Sequence, residues 1–281
     1  RVSTDGVVTL SVTFGSDASD IPRALVARPD GSYAFAGLSL SESPYVGWVV
    51  FVDVNGEVTG QHVATAATDL GIETLQPLGN DLLVAGTVAP ATAWWARVDE
   101  QAGVVEEHMF EDLPLTLLTT SAMDIDGGYV LGGFALSGPG SELLLIDLDG
   151  NGDFESSHLP SAGTSVQPTA LTIAADGTRV VAGFELAPTG GTDAYIWRVT
   201  PAGQLIEATA IGSPGNRSLY SVSIAPNGTV LGGGRAGPGN GSGPAWLVAV
   251  DVSGPPVQTV DKVYSAEQTT NRILGLVPEP D

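Results

Sequence analysis

The chain has 281 residues, with 32 Asp plus Glu against 10 Lys plus Arg and a formal net charge of -22. Only 15% of residues are charged while 43% are hydrophobic, so the acidity comes from scarce bases on a chain able to build a core, and a disordered polyelectrolyte is excluded. The absence of cysteine excludes thiol catalysis, Cys-ligated metal and disulfides; no apolar run reaches the roughly 18 residues of a membrane span, and a negative surface disfavours nucleic acid, which needs clustered Lys and Arg.

In chain order, residues 1 to 20 read as the end of a strand, its turn and a following strand. A first complete unit then runs ALVARPDG (24 to 31), SYAFAGLSL (32 to 40), WVVFVDVNG (48 to 56) and EVTGQHVATA (57 to 66), four apolar runs separated by turn residues. The second run recurs as DLLVAGTV (81 to 88), GYVLGGFAL (128 to 136), TRVVAGFEL (178 to 186) and TVLGGGRA (229 to 236); anchored on Gly37, Gly86, Gly133, Gly183 and Gly233, the spacings are 49, 47, 50 and 50. The dipeptides Asp30-Gly31, Asp126-Gly127, Asp176-Gly177 and Asn227-Gly228 precede four of these runs, and Gly79-Asn80 the remaining one; they predict tight two-residue hairpin loops. The third run recurs as WWARVDEQAG (94 to 103), ELLLIDLDGNG (142 to 152), YIWRVTPAG (195 to 203) and WLVAVDVSG (246 to 254). Aligned on Asp53, Asp99, Asp147, Thr200 and Asp251, it places Trp48, Trp94, Glu142, Tyr195 and Trp246 at one depth, and rings there are expected to fill the space between stacked sheets. No segment carries the i, i+3, i+4 spacing of a helix.

Four short antiparallel strands per unit predict an all-β fold, a β-propeller with five complete blades (about 21 to 69, 70 to 115, 116 to 163, 164 to 215 and 216 to 270) in one domain. The motif of apolar strand, Asp-Gly, strand ending in Ala-Gly or Gly-Gly, and aromatic-led strand with a Gly turn resembles the bacterial extracellular propeller repeats related to the delta-60 and Kelch-like families. That resemblance implies a secreted or cell-surface location and leaves function open, since one fold serves many roles. Residues 1 to 20 and 271 to 281 align with the last and first strands of a unit, so the two ends are expected to share a partial sixth blade whose open edge offers a route to oligomers by strand addition.

Two residue groups suggest chemistry. In the turn of the third repeat, Asp147, Asp149, Asn151, Asp153 and Glu155 put oxygens at alternating positions around Gly152, as a loop wrapping calcium would; Asp, Asn and Gly are also ordinary turn formers. Arg23, Arg217 and Arg272 stand near the starts of first strands, the channel-lining strands of propellers, where they either bind an anion together or pair with acids such as Asp20 and Glu73. His62, His108 and His158 each fall in the outer strand of a different unit, which argues against a shared metal or catalytic histidine. The expected function is a non-enzymatic module binding a protein or glycan. A calcium-dependent hydrolase is the enzymatic alternative, disfavoured because the first strands carry mostly Ala, Leu, Val, Ser and Thr.

Overall fold

The computed structural model describes residues 11, 19–40, 44–64, 68–137, 140–163, 165–187, 190–212, 216–237, 243–252, 256–264 and 273–275. These form twenty strands and no helix, in five four-stranded antiparallel sheets whose strands pair in sequence order. Blade 1 comprises β1 (Asp20–Ala27), β2 (Tyr33–Ser39), β3 (Val46–Val52) and β4 (Val58–Ala64). Blade 2 comprises β5 (Leu70–Leu78), β6 (Asp81–Val88), β7 (Thr92–Val98) and β8 (Val104–Met109). Blade 3 comprises β9 (Thr116–Met123), β10 (Tyr129–Ser137), β11 (Gly140–Leu148) and β12 (Phe154–His158). Blade 4 comprises β13 (Val166–Ile173), β14 (Arg179–Leu186), β15 (Thr192–Val199) and β16 (Leu205–Ile211). Blade 5 comprises β17 (Arg217–Ile224), β18 (Val230–Ala236), β19 (Ala245–Asp251) and β20 (Val257–Tyr264). The architecture is the all-β propeller type that the repeat predicts.

The chain forms two compact units, residues 1–118 and 119–281, with the division inside β9. The expected sixth blade falls almost wholly outside the described residues; of its trailing half only residues 273–275 are described, and there Ile273 N donates to Gly234 O at 3.2 Å.

Sheets stacked face to face bury both surfaces of their middle strands, which is why β3 reads VGWVVFV with six consecutive buried residues. The outer strands face water on one side and alternate, as in LIEATAI of β16. Side chains from adjacent blades interdigitate in layers. Ala34, Val49 and Phe51 of blade 1 meet Leu82, Val84 and Trp94 of blade 2. Val130, Leu143 and Leu145 of blade 3 meet Val181, Trp197 and Val199 of blade 4, and Val180, Ala182 and Ile196 of blade 4 meet Val230, Trp246 and Val248 of blade 5. Trp94 and Trp246 thus fill interblade space, as expected of the aromatic column, and Tyr195 packs against the layer between blades 3 and 4.

Two alignments from the sequence are corrected. Gly37, Gly86 and Gly183 pair with Trp48, Trp94 and Tyr195, but Trp246 pairs with Gly234 rather than Gly233, and Gly133 pairs with Leu144 rather than Glu142. In the third repeat the turn residue is therefore Asp149: Asp149 N donates to Asp153 O, just as Asp53 N donates to Glu57 O and Asp99 N to Gly103 O. Asp147 and Asp149 stand two apart on one strand, so alternation alone fits either register, and three consecutive glycines leave the same ambiguity at 232 to 234.

Blade 2 has the expected two-residue loop, Gly79-Asn80 between paired Leu78 and Asp81, whereas the other hairpin loops differ from two-residue turns. Gly31 N donates to Arg28 O while Arg28 N donates to Ser32 O, and Gly31 has φ 84° whereas Asp30 is not among the positive-φ residues. This is a β-turn followed by a left-handed glycine bulge, which needs positive φ at one residue instead of two. Asp30 serves as the cap, its Oδ1 accepting from Ser32 N at 2.9 Å.

Candidate functional site

Strand alternation aims equivalent residues of each blade into the layer shared with the next blade, and at the turn end these layers differ in what fills them. Phe51, Asp147 and Arg198 occupy one equivalent position on β3, β11 and β15; Leu82, Arg179 and Val230 face them from β6, β14 and β18. Arg28, Asp124 and Ala174 begin the equivalent hairpin turns.

Between blades 1 and 2 the turn end is plugged by Arg28. Its guanidinium lies 5.3 Å from the Phe51 ring centroid, Nη2 donates to Asn80 O at 2.6 Å, and the same nitrogen is 3.3 Å from Glu100 Oε1. Between blades 3 and 4 the plug is Arg179, 3% exposed, with Nη2 2.6 Å from Asp147 Oδ1 and 3.9 Å from Asp124 Oδ2. Ser156 Oγ donates to Asp147 Oδ2 at 2.8 Å, and His158 Nε2 sits 2.9 Å from that oxygen. A serine, a histidine and an aspartate therefore meet here, yet not as a hydrolytic triad. His158 uses Nε2 toward both Ser156 Oγ, at 3.1 Å, and Asp147, whereas a triad needs the aspartate on one ring nitrogen and the serine on the other.

Between blades 4 and 5 neither plug is present. Ala174 stands in place of Arg28 and Asp124, Val230 in place of Arg179, and a cavity of about 620 Å³ opens. Its polar lining includes Asp176, Thr178, Arg198, Asn227 and Asp251; its floor is aliphatic, with Ile173, Val180, Ile224 and Val230, and none of the described lining residues is aromatic. Arg198 Nε is buried with no hydrogen-bond partner among the described residues, and Nη1 is 3.8 Å from Glu207 Oε2. Hydrogen bonds from Thr178 hold the Asp176 carboxyl below the usual carboxylate range, with Arg198 adding to the effect. This slot is the candidate site.

None of the described residues singled out in the sequence for chemistry lines this slot. Asp147 turns into the layer toward Arg179, away from the loop that follows it. Asp149 Oδ1 accepts from the backbone N of Asn151 at 2.7 Å and of Asp153 at 2.9 Å, bonds that hold its carboxyl below the usual range. Asn151 Nδ2 donates to Asp149 Oδ2, while Asp153 and Glu155 are exposed. Asp53 closes its own turn the same way, through Asn55 N and Glu57 N. The structure thus separates Asp147 from the other four, and no group of three or more His, Asp or Glu among the described residues is placed to hold a metal. A cation at this turn would meet an Asp149 carboxylate already engaged by the N–H groups of its own turn. Calcium at about 1 mM is therefore expected to stabilise the chain by less than about 0.4 kcal/mol, the gain when ligand equals Kd, and thermal melting with calcium against chelator measures it. A clear rise in Tm that Asp149→Ala removes would show a real metal site.

Arg23 and Arg217 each pair with an acid of their own compact unit. Arg23 Nε is 3.3 Å from Glu73 Oε2, both at bulges of first strands, and burial pushes the Glu73 carboxyl up. Arg217 stacks 4.7 Å from the Trp246 ring centroid and meets Asp261 at 3.3 Å; Arg272 lies outside the described residues. His62, His108 and His158 occupy β4, β8 and β12, as expected. Sequence reasoning missed Arg28, Arg179 and the open slot. Their signal lies in the repeat itself: Arg179 is a base at a position where the other blades carry Tyr33, Leu82, Tyr129 and Val230.

No protein-family model matches the chain, and no curated protein matches it in sequence. Solved structures share its fold. The Pan2 WD40 domain of Neurospora crassa matches at TM-score 0.53 and 11% identity over 92% of this chain and 89% of its own. Sqt1 of Chaetomium thermophilum, bound to the N-terminus of ribosomal protein L10, matches at 0.53 and 15% over 91% of this chain and 66% of its own. Regucalcin of Agrobacterium tumefaciens, a calcium-binding protein, matches at 0.54 and 12% over 90% of this chain and 77% of its own.

Proposed function

We propose that the chain is a non-enzymatic binding module that takes up a segment of a protein partner carrying positive charge. The observation that carries this reading is the open slot between blades 4 and 5, recessed between hairpin turns and lined by two carboxylates against one guanidinium. An acidic chain of net charge -22 steers basic partners toward it and repels acidic ones. The aliphatic floor favours a peptide over a glycan, because it offers no aromatic face for a sugar ring to stack on. Binding of a protein N-terminus by Sqt1, a propeller of like fold, supports the class of activity by analogy alone. A secreted or cell-surface bacterial setting accords with the resemblance of the repeats, and export assays in the source cell test it.

The direct test titrates the chain with unstructured Lys/Arg-rich and Asp/Glu-rich peptides, followed by fluorescence anisotropy. The basic peptide is expected to bind, with Kd rising about tenfold when salt increases from roughly 0.05 M to 0.5 M, because screening shortens the Debye length from above 10 Å to below 5 Å. Equal binding of both peptides, or none of either, removes the reading.

A further inference from the structure

Resting on that binding reading, we infer that the slot between blades 4 and 5 is an arginine socket, filled in trans by a guanidinium side chain of the partner.

The slots of this one chain are filled differently at their turn ends. Two slots whose turn ends are described within a compact unit are each plugged by an arginine of the chain itself, and the two arginines reach their slots from different elements. Arg28 enters from the turn after β1 and is anchored by a backbone carbonyl and a carboxylate of the following blade. Arg179 enters from the start of β14 and is anchored by carboxylates of the preceding blade. The layer between two blades at this end therefore has the depth and width for an extended arginine side chain from either side. In the third slot both source positions carry short apolar residues, Ala174 and Val230, and the space stays open at about 620 Å³.

The lining selects the occupant. Asp251 and Asp176 supply negative charge on opposite sides of the slot, one from β19 and one from the turn before β14. Arg198, whose side chain is 21% exposed, brings a buried Nε–H that finds no acceptor within the described chain, as Arg179 Nε and Nη1 find none in the filled slot. A buried donor without a partner costs about 1–3 kcal/mol, so an occupant supplying an acceptor recovers stability as it binds. A lone cation would leave that donor unmet, and a lone carboxylate would meet two like charges. An arginine within a peptide satisfies both demands, its guanidinium toward the carboxylates and a main-chain carbonyl toward Arg198 Nε. Its alkyl stem lies on the aliphatic floor of Ile173, Val180 and Ile224, as long cationic side chains lie along apolar surface elsewhere.

The test builds the plug into the chain. Val230→Arg combined with Arg198→Asp places in this slot the pair that Arg179 and Asp147 make in the neighbouring one. The double variant carries one more net negative charge than the parent, so any loss of affinity for a basic peptide cannot come from weaker overall attraction. With a labelled Gly-Arg repeat peptide as probe, the double variant is expected to melt near the parent temperature and to bind at least about tenfold more weakly. Asp176→Asn keeps the oxygen that caps Thr178 N while removing the charge, and serves if the double variant fails to fold; it is expected to weaken the same peptide about threefold or more, with a Gly-Glu peptide not binding either protein. Undiminished binding by a folded double variant, or by Asp176→Asn, overturns the socket and leaves a basic-partner module binding elsewhere. Failure of the parent itself to bind any basic peptide overturns both readings.

Discussion

Gly86→Ala is expected to destabilise the first compact unit by about 3 kcal/mol or more, although it adds a single methyl to a buried strand. A bulge between Ile72 and Thr74 interrupts the pairing of β5 with β6, and a Cβ on Gly86 would fall far inside van der Waals contact of the carbonyl oxygen of Gly71. The obstacle is backbone, held to β6 by strand pairs before and after the bulge, so no side-chain rotation relieves it. The same collision meets a Cβ on Gly37 with Ile21 O, on Gly183 with Gln167 O and on Gly234 with Ser218 O, each beside a bulge in the first strand of its blade. The Ala-Gly and Gly-Gly endings that mark the repeat are therefore a steric demand of the bulge. Gly127→Ala is the matched control: its φ of 84° is unfavourable for alanine, yet nothing lies within 4 Å of the new atom, and the cost expected is about 1 kcal/mol. Denaturant unfolding of the two variants separates these costs. Equal midpoints would show that the first strand shifts to make room and that the bulge does not fix the glycine.

The features legible in the sequence are those that repeat along the chain. Turn glycines, the aromatic at the depth of Trp48, Trp94, Tyr195 and Trp246, and the apolar alternation of each strand are local patterns recurring about every fifty residues, and four strands per unit follow from them directly. The register of Asp147 is less legible, because IDLDG offers two aspartates on one face and only the hydrogen bonds of the turn distinguish them. The slots lie beyond local pattern altogether. Whether Arg28, Arg179 or Arg198 is a plug, a partner or an unmet donor depends on the residue facing it from the adjoining blade, 32 to 72 positions away in sequence. Departures from the repeat consensus carry that information: an arginine beginning β14, an alanine where the equivalent turns begin with Arg28 and Asp124, a valine beginning β18. A reading that aligns units to find what they share passes over such positions.

Arg179→Met is expected to cost the second unit about 3–5 kcal/mol, since it strips the counter-charge from Asp147, which is 8% exposed, and from Asp124. Asp147→Leu alone should cost a comparable amount, leaving a guanidinium 3% exposed with Asp124 3.9 Å away as its nearest acid. The two changes together should cost much less than their sum, because a methionine facing a leucine closes the layer with apolar contact continuous with Val130, Leu145 and Val199. A coupling energy above about 2 kcal/mol in the double-mutant cycle is the expected measurement, and additive effects would mean that Arg179 and Asp147 act through separate partners. The cycle also bears on the open slot. If an apolar pair seals the layer between blades 3 and 4 without loss of stability, the ion pair there is one of several ways to fill that position, and keeping Arg198 opposite Val230 leaves the next layer open at no necessity of the fold. A strongly destabilised double variant would mean that the layer requires a polar plug at its turn end, making the slot between blades 4 and 5 a stability deficit that an entering arginine of the partner relieves.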